Sequence, residues 1–138
     1  MAAPEIELLY GIVAALRADA GVGDVVGDRI YDEVPQGATF PYIKFGNFAP
    51  SPVRTDCTTS TLVTFSLEAH SRPTAAGRTQ ALMAAAAMAA ALSDNEDAVT
   101  VAGSTLVRLQ WMPGAATGGV DADGESYMEI RGFEALLD

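Results

Sequence analysis

The sequence contains very few of the side chains that most often carry chemistry, with one cysteine, one histidine and one tryptophan in 138 residues. Because Cys57 is the single cysteine, no disulfide can form within the chain, and a zinc site made only of cysteines is excluded. Cys57 and His70 are the one pair that could act as thiol nucleophile and base. Only Arg54 lies near Cys57 in sequence to favour a reactive thiolate, and we expect His70 to hydrogen bond at the end of a strand instead. The sequence therefore predicts no catalytic residue.

Positive charge and long apolar runs are also scarce. Eight lysine and arginine residues stand against 18 acidic residues, and the basic ones occur singly between Arg17 and Arg131, which is a poor footprint for binding phosphates. The longest stretch without a polar residue, Ala81 to Leu92, is far shorter than the about 20 residues that cross a bilayer, so we expect no membrane role. The net charge of −10 suits a soluble surface, and it also suits a channel wall past which DNA slides without sticking.

Patterns that hold ions or phosphates are incomplete. The segment from Asp121 to Glu125 has the alternating carboxylates and the glycine of a calcium loop, but it lacks a third ligand before the glycine and the closing glutamate. The sequence also has no Gly-Lys-Ser or Gly-Lys-Thr element, and the glycines after the first apolar segment follow a predicted helix rather than a strand. We therefore expect an acidic loop tip here, with no metal and no cofactor.

The residues that are present predict one α+β domain spanning residues 1–138, since 49% of them are apolar. Helical spacing begins at Pro4 and is expected to end at Gly21 and Gly23, and a second, alanine-rich helix is predicted from Thr74 to about Leu92. The first helix has a wide apolar arc, which predicts cover on two sides. The second has no charged residue after Gln80, which fits either an alanine-rich helix lying close on the sheet with a bare outer side or an outer side buried against another subunit. The predicted apolar positions are Ile6, Leu8, Leu9, Tyr10, Ile12, Val13 and Leu16 in the first helix, and Leu82, Ala85, Ala89 and Leu92 in the second.

Extended segments predict a mixed, mainly antiparallel sheet of about four to five strands flanked by the two helices. Alternation is clearest from Leu62 to Ala69, and Trp111 is expected in the core. The other predicted strands are Arg29 to Tyr31, Tyr42 to Phe48, a hairpin of Val99 to Ala102 with Thr105 to Met112, and Tyr127 to Leu137. The predicted loops are Ala49 to Ser60, which is alternatively the tip of a long hairpin, and Pro113 to Ser126.

The order of these elements, together with several short segments, matches a known pattern. The segments are Arg17 to Ala20, Gly27 to Pro35, Phe40 to Ile43, His70 to Pro73 followed by Gly77-Arg78, and Ile130 to Phe133. They resemble the tail terminator, or tail completion, family of siphophages and gene transfer agents. The resemblance implies a virion protein, made in the host cytoplasm, that forms a hexameric ring at the head-proximal end of the tail.

The resemblance also implies partners: copies of the same chain in a homo-hexamer, the tail tube protein and the head-tail connector, with DNA passing through the ring without specific binding. Because the two predicted loops are the first places to expect contacts, Arg54, Asp121, Asp123 and Glu125 are the candidate assembly or lumen residues. Three alternatives remain: a neck protein on the head side, a monomeric acidic binding or inhibitor module, and a hydrolase using Cys57 and His70.

Overall fold

A computed structural model describes residues 3–54, 59–72, 77–120 and 126–138. The helices within these residues are α1 (Pro4–Ala18), α2 (Ala20–Val26) and α3 (Gly77–Leu92), with a short 3-10 turn at Glu96–Ala98. The strands are β1 (Ile30–Tyr31), β2 (Tyr42–Arg54), β3 (Thr59–Ser71), β4 (Leu106–Val120) and β5 (Tyr127–Leu137).

The first helical segment is divided at Asp19, which the sequence did not lead us to expect. Asp19 has extended backbone angles, and its carboxylate accepts a hydrogen bond from the Val22 amide at 3.0 Å, so it caps the start of α2. Gly21 and Gly23, which were predicted to end the helix, lie inside α2 instead. The side-chain cap and the burial of Val22 and Val26 outweigh the low helix propensity of glycine.

The strands form a five-stranded sheet in the order β1-β2-β3-β5-β4. β1 is parallel to β2, and the other neighbours are antiparallel. The predicted fold class, a mixed and mainly antiparallel sheet flanked by helices, is confirmed, and α2 is an addition to it. The alternation predicted from Leu62 to Ala69 is also confirmed, because Val63, Phe65, Leu67 and Ala69 of β3 are buried.

Two predicted segments have a different structure. Val99 to Ala102 forms no strand, and the partner of β4 is β5, because Val99 and Val101 turn into the core after α3. The predicted loop from Pro113 is strand as far as Val120, where β4 pairs with Tyr127. Pairing with β5 therefore holds a glycine-containing segment extended although glycine disfavours strands. On the other side of the sheet the hairpin alternative is right, because β2 continues to Arg54 opposite Thr59.

The helices cover one face of the sheet, and the core lies between them. Phe65 of β3 stacks on Phe133 of β5 with ring centroids 5.3 Å apart. α3 lies close over β3 and β5 through small side chains, with Ala81, Ala84, Ala85, Met88, Ala89, Ala91 and Leu92 buried. Leu82, which was predicted in the buried stripe, is 42% exposed, because the face that meets the sheet is turned one step around the helix.

Candidate assembly surfaces

The strand register places the turns of the two long hairpins at opposite ends of the sheet. Arg54 pairs with Thr59 at the turn of β2 and β3, which we call the Arg54 end. Val120 pairs with Tyr127 at the turn of β4 and β5, and Tyr127 pairs with Ser71 at the far end of β3. This second end is the Tyr127 end.

Of the four predicted contact residues, the structure describes Arg54, and it describes the residues that flank the other three. Arg54 is exposed at the last position of β2. Asp121, Asp123 and Glu125 lie outside the described residues, but Val120 before them and Ser126 after them belong to the Tyr127 end. The two predicted loops therefore belong to opposite ends of the sheet, which sequence alone could not establish.

His70 lies far along β3 from the residues that flank Cys57. Cys57 itself is outside the described residues, but it follows Arg54 by three positions and precedes Thr59 by two. From Thr59 to His70 the strand extends about 36 Å, whereas two residues of chain reach about 7 Å. His70 is buried, and its Nε2 lies 2.9 Å from Oε1 of Glu68. The fold therefore does not bring Cys57 and His70 together as a nucleophile and a base.

The second half of β2 is an uncovered edge of the sheet, although β3 beside it pairs with β5. Every residue of β2 from Ala49 to Arg54 is exposed. Pro50 and Pro52 pair with Val63 and Thr61, so their ring nitrogens lie where no ladder hydrogen bond to β3 is needed. Proline on an edge strand removes amide donors from the free side and so prevents pairing with another strand. This part of the hairpin is suited to contact through side chains.

The sheet face opposite the helices carries two separate groups of charged side chains. Oε1 of Glu68 lies 3.8 Å from the Lys44 ammonium in addition to its contact with His70, whose ring stacks on Tyr42 with a centroid distance of 5.1 Å. Across the sheet, Arg108 forms an ion pair with Glu134. Because the Lys44–Glu68 and Arg108–Glu134 ion pairs each join neighbouring strands, they favour this register. Among the described residues, no group of histidine, cysteine and acidic side chains is arranged to hold a metal ion.

The outer side of α3 borders an apolar groove, which we call the α3 groove. It has a volume of about 380 Å³ and is lined by Ala86, Ala89, Ala90, Ser93, Trp111 and Arg131. The Trp111 amide donates to Oγ of Ser93 at 3.2 Å, and the Arg131 guanidinium lies 5.8 Å from the Trp111 ring centroid. Trp111 is 42% exposed, so the prediction that it belongs to the core was wrong. Leu82 and Met83, also exposed, project from the same helix nearer its start.

A second concave surface, the α1 cleft, lies where α1 meets β1. It has a volume of about 400 Å³ and is lined by Leu9, Tyr10, Val13, Ala14, Arg17, Ile30, Tyr31, Asp32 and Glu33. Nη2 of Arg17 donates to the carbonyl of Ile30 at 2.8 Å and fixes the last turn of α1 against β1. Beside the cleft, Ile6 and Tyr10 are 47% and 62% exposed. The predicted wide apolar arc is therefore divided into a core side with Leu8, Ile12 and Leu16 and an outer side that the described chain leaves uncovered.

Known proteins share the family pattern and the fold of this chain. A family model described as "Tail completion protein gp17" matches residues 11–125. Among solved structures, a chain in the particle described as "Virion of native gene transfer agent (GTA) particle" is 24% identical and superposes with a TM-score of 0.85, covering 99% of this chain and 98% of that chain. No curated protein matches. Within the described residues, no helix combines the length and apolarity that crossing a membrane would require.

Proposed function

Because the chain belongs to the tail completion protein gp17 family, and is thereby a structural protein of the virion tail, we propose that it forms a hexameric ring that closes the head-proximal end of the tail tube. The ring ends the growth of the tube and joins it to the head connector. Its role is to provide contact surfaces, and it carries out no reaction. DNA passes through the ring without a specific binding site.

The observation that carries this proposal is the placement of the two hairpin turns at opposite ends of one sheet. A ring that joins two assemblies must present a different surface on each of its two faces. If the strands run along the ring axis, the Arg54 end lies on one face and the Tyr127 end on the other. Arg54 then contacts one partner, the tail tube or the connector, and the segment with Asp121, Asp123 and Glu125 contacts the other or borders the lumen.

Charge and chemistry support the same role. A net charge of −10 disfavours tight binding of a phosphate backbone, as passage of DNA through a lumen requires. The one histidine is held by Glu68 and Tyr42 on the sheet. The similar chain in the gene transfer agent particle is also part of a virion, which supports assembly in this context.

The ring is tested by the mass of the purified protein and by electron microscopy. We expect either rings in solution, near six copies of the 14.3 kDa chain, or rings that form when tail tubes are added. A protein that stays monomeric and never associates with tubes or connectors would contradict the proposal.

Deleting the gene separates the proposed position from one on the head side. Loss of a protein that ends the tube should give particles with overlong tails, because tube growth then has no stop. Loss of a head-side neck protein should instead give tails of normal length lying free beside filled heads. Tail lengths measured on negatively stained particles decide between the two.

A further inference from the structure

The outer sides of α1 and α3 are both apolar, and the cavities beside them open toward opposite edges of the sheet. α1 contacts β1, and α3 lies over β3 and β5 and contacts α1. The α1 cleft is lined by residues of β1 and the α3 groove by Trp111 of β4 and Arg131 of β5, and the sheet order places β1 and β4 at its two edges. A closed ring of identical chains needs two different patches on opposite sides, so that each chain contacts the next in the same way.

Each of the two helices has exposed apolar side chains on its outer side and a cavity beside it. On α1, Ile6 and Tyr10 project from the first half of the helix, and the α1 cleft extends from Tyr10, which forms one end of its wall, along the second half. On α3, Leu82 and Met83 project from the first half, and the α3 groove lies beside the second half. The two helices are antiparallel. The last turn of α1 is fixed at β1, and its middle packs on Thr100 beyond the end of α3.

The position of each feature along the strand direction, which we call its level, follows from its register with β3. Ile30, at the α1 cleft, pairs with Ile43, which pairs with Ala69, so the cleft lies level with Ala69 and Glu68. The start of α3 is fixed level with Ser71, because Oγ of Ser71 donates to the Gly77 carbonyl at 2.8 Å. Met83 lies six residues further on, about 9 Å or three strand residues away, which brings it level with Glu68. The projection of α3 and the cleft of α1 therefore share one level.

The other projection and cavity also share a level. In the α3 groove, Arg131 pairs with Leu67, and Trp111 pairs with Phe133 opposite Phe65. Tyr10 precedes Arg17 by seven residues, about 10 Å along α1, and so lies about three strand residues from Ala69, level with Ser66. If the ring axis is parallel to the strands, the rotation that relates neighbouring chains keeps each feature at the same level. A projection and a cavity at the same level can therefore meet between neighbours.

We propose that the ring forms by packing α1 of one chain against α3 of the next, with Tyr10 and Ile6 entering the α3 groove and Leu82 and Met83 entering the α1 cleft. The occupant of each cavity is a second copy of this chain, and the contact rests on the ring function proposed above. The charges agree with this arrangement. Asp32 and Glu33 are exposed beside the cleft, whereas Arg78 is exposed on α3. The side chain of Arg17 in the cleft is directed onto the backbone carbonyls of Asp28 and Ile30.

Single charges placed on either patch test this contact. Tyr10→Glu and Ala90→Glu both change exposed helical positions, so the monomer should fold, which circular dichroism checks. Each variant should raise the dissociation constant of the contact about 30-fold or more, because a central aromatic anchor is lost or a charge is buried without a partner. Val53→Glu, an exposed residue at the Arg54 end, is the matched control and should leave ring formation in solution unchanged.

Mixing the two variants provides a sharper test. The Ala90→Glu chain keeps an intact α1 patch and the Tyr10→Glu chain keeps an intact α3 groove, so the mixture should form one-to-one dimers and nothing larger. Disulfide trapping gives a second measurement. In a Cys57→Ser background, Tyr10→Cys combined with Ala90→Cys should produce a ladder of linked chains up to the ring.

The results distinguish failure of the proposed α1–α3 contact from failure of the proposed ring function. Rings that form equally well with Tyr10→Glu and Ala90→Glu, or variants that form no dimer when mixed, would overturn the contact and leave the ring function standing. A wild-type protein that forms no ring, alone or on tail tubes, would overturn the ring function and the contact with it.

Discussion

The two halves of the β2–β3 hairpin differ in what surrounds them. In the half under the helices, Ile43, Phe45, Leu67 and Ala69 are buried. Beyond the register shift between Phe45 and Phe48, β2 becomes exposed from Ala49 to its end. β3 remains buried there through Val63 and Phe65 and pairs with β5, so the projecting half is the segment of β2 from Ala49 to Arg54, which is held by its ladder of strand pairs with β3. The covered half is held by packing under the helices.

This difference separates stability from assembly within one pair of strands. Apolar burial contributes about 25 cal/mol per Å², so the covered half dominates the free energy of folding. The projecting half adds little burial, but it carries the exposed side chains at one end of the molecule. Substitutions in the covered half should therefore change the free energy of unfolding, and those in the projecting half should change association or binding.

Phe65→Ala in the covered half should have the largest effect. Phe65 is 1% exposed and packs on Phe45, Phe48 and Phe133, so its removal leaves a cavity lined by aromatic rings. We expect the free energy of unfolding, measured by urea denaturation, to fall by about 3–5 kcal/mol. Val53→Ala in the projecting half is the control and should change it by less than about 0.5 kcal/mol. Equal losses in the two variants would show that the halves do not differ in packing.

Gly11→Ala tests how closely the helical layer covers the first half. A Cβ atom at residue 11 would collide with the backbone carbonyl oxygen of Thr100, so α1 must move away. We expect a loss of about 1–3 kcal/mol in the free energy of unfolding, the usual cost of overpacking.

Gly23→Ala is the matched control for that substitution. No atom lies within 4 Å of a Cβ at residue 23, inside α2. Alanine should therefore stabilise the protein by about 0.5–1 kcal/mol, because it favours helix over the unfolded chain. If both variants lose stability to the same degree, the close approach of α1 to Thr100 is not the reason that alanine destabilises residue 11.

The sequence predicted the covered half well because its period reports burial. Val63, Phe65, Leu67 and Ala69 alternate with more polar residues, and the alternation matches the buried face of β3. The start of α1 at Pro4 and the end of α3 at Leu92 were also predicted, because proline and the acidic residues after Leu92 act locally.

The projecting segments and the contact surfaces were harder to predict because they depend on pairing partners far along the chain. Gly118 and Gly119 favour a loop locally, but β5 pairs with them and holds them in β4. The absence of charge on α3 predicted that its outer side is apolar, but Leu82 was assigned to the buried stripe and lies on the outer side. The levels that relate the α1 cleft to the α3 groove depend on strand register, which no local pattern in this sequence specifies.

Replacing Pro50 and Pro52 together by valine tests whether these prolines prevent the exposed edge of β2 from pairing with other strands. Valine restores two amide donors on the free side of β2 and has a high strand propensity. We expect the free energy of unfolding to change by less than about 1 kcal/mol, while light scattering shows association that increases with protein concentration. Pro35→Val, in an exposed turn outside the sheet, is the control and should cause no such association. A double variant that stays as dispersed as the wild type would show that the prolines do not protect the edge.

Arg54→Glu should have the smallest effect on stability and should change binding instead. Arg54 is exposed at the end of the projecting half, so its replacement should change the free energy of unfolding by less than about 0.5 kcal/mol and leave rings intact. The dissociation constant for binding of those rings should rise about fivefold or more with one of the two partners, isolated tail tubes or connectors, since a charge at the edge of that contact is reversed. Arg54→Lys keeps the charge and should bind nearly as well as the wild type. If Arg54→Glu rings bind both partners with unchanged affinity, the Arg54 end contributes no charge contact to either one, and the contacts that join the ring to the tail must lie elsewhere.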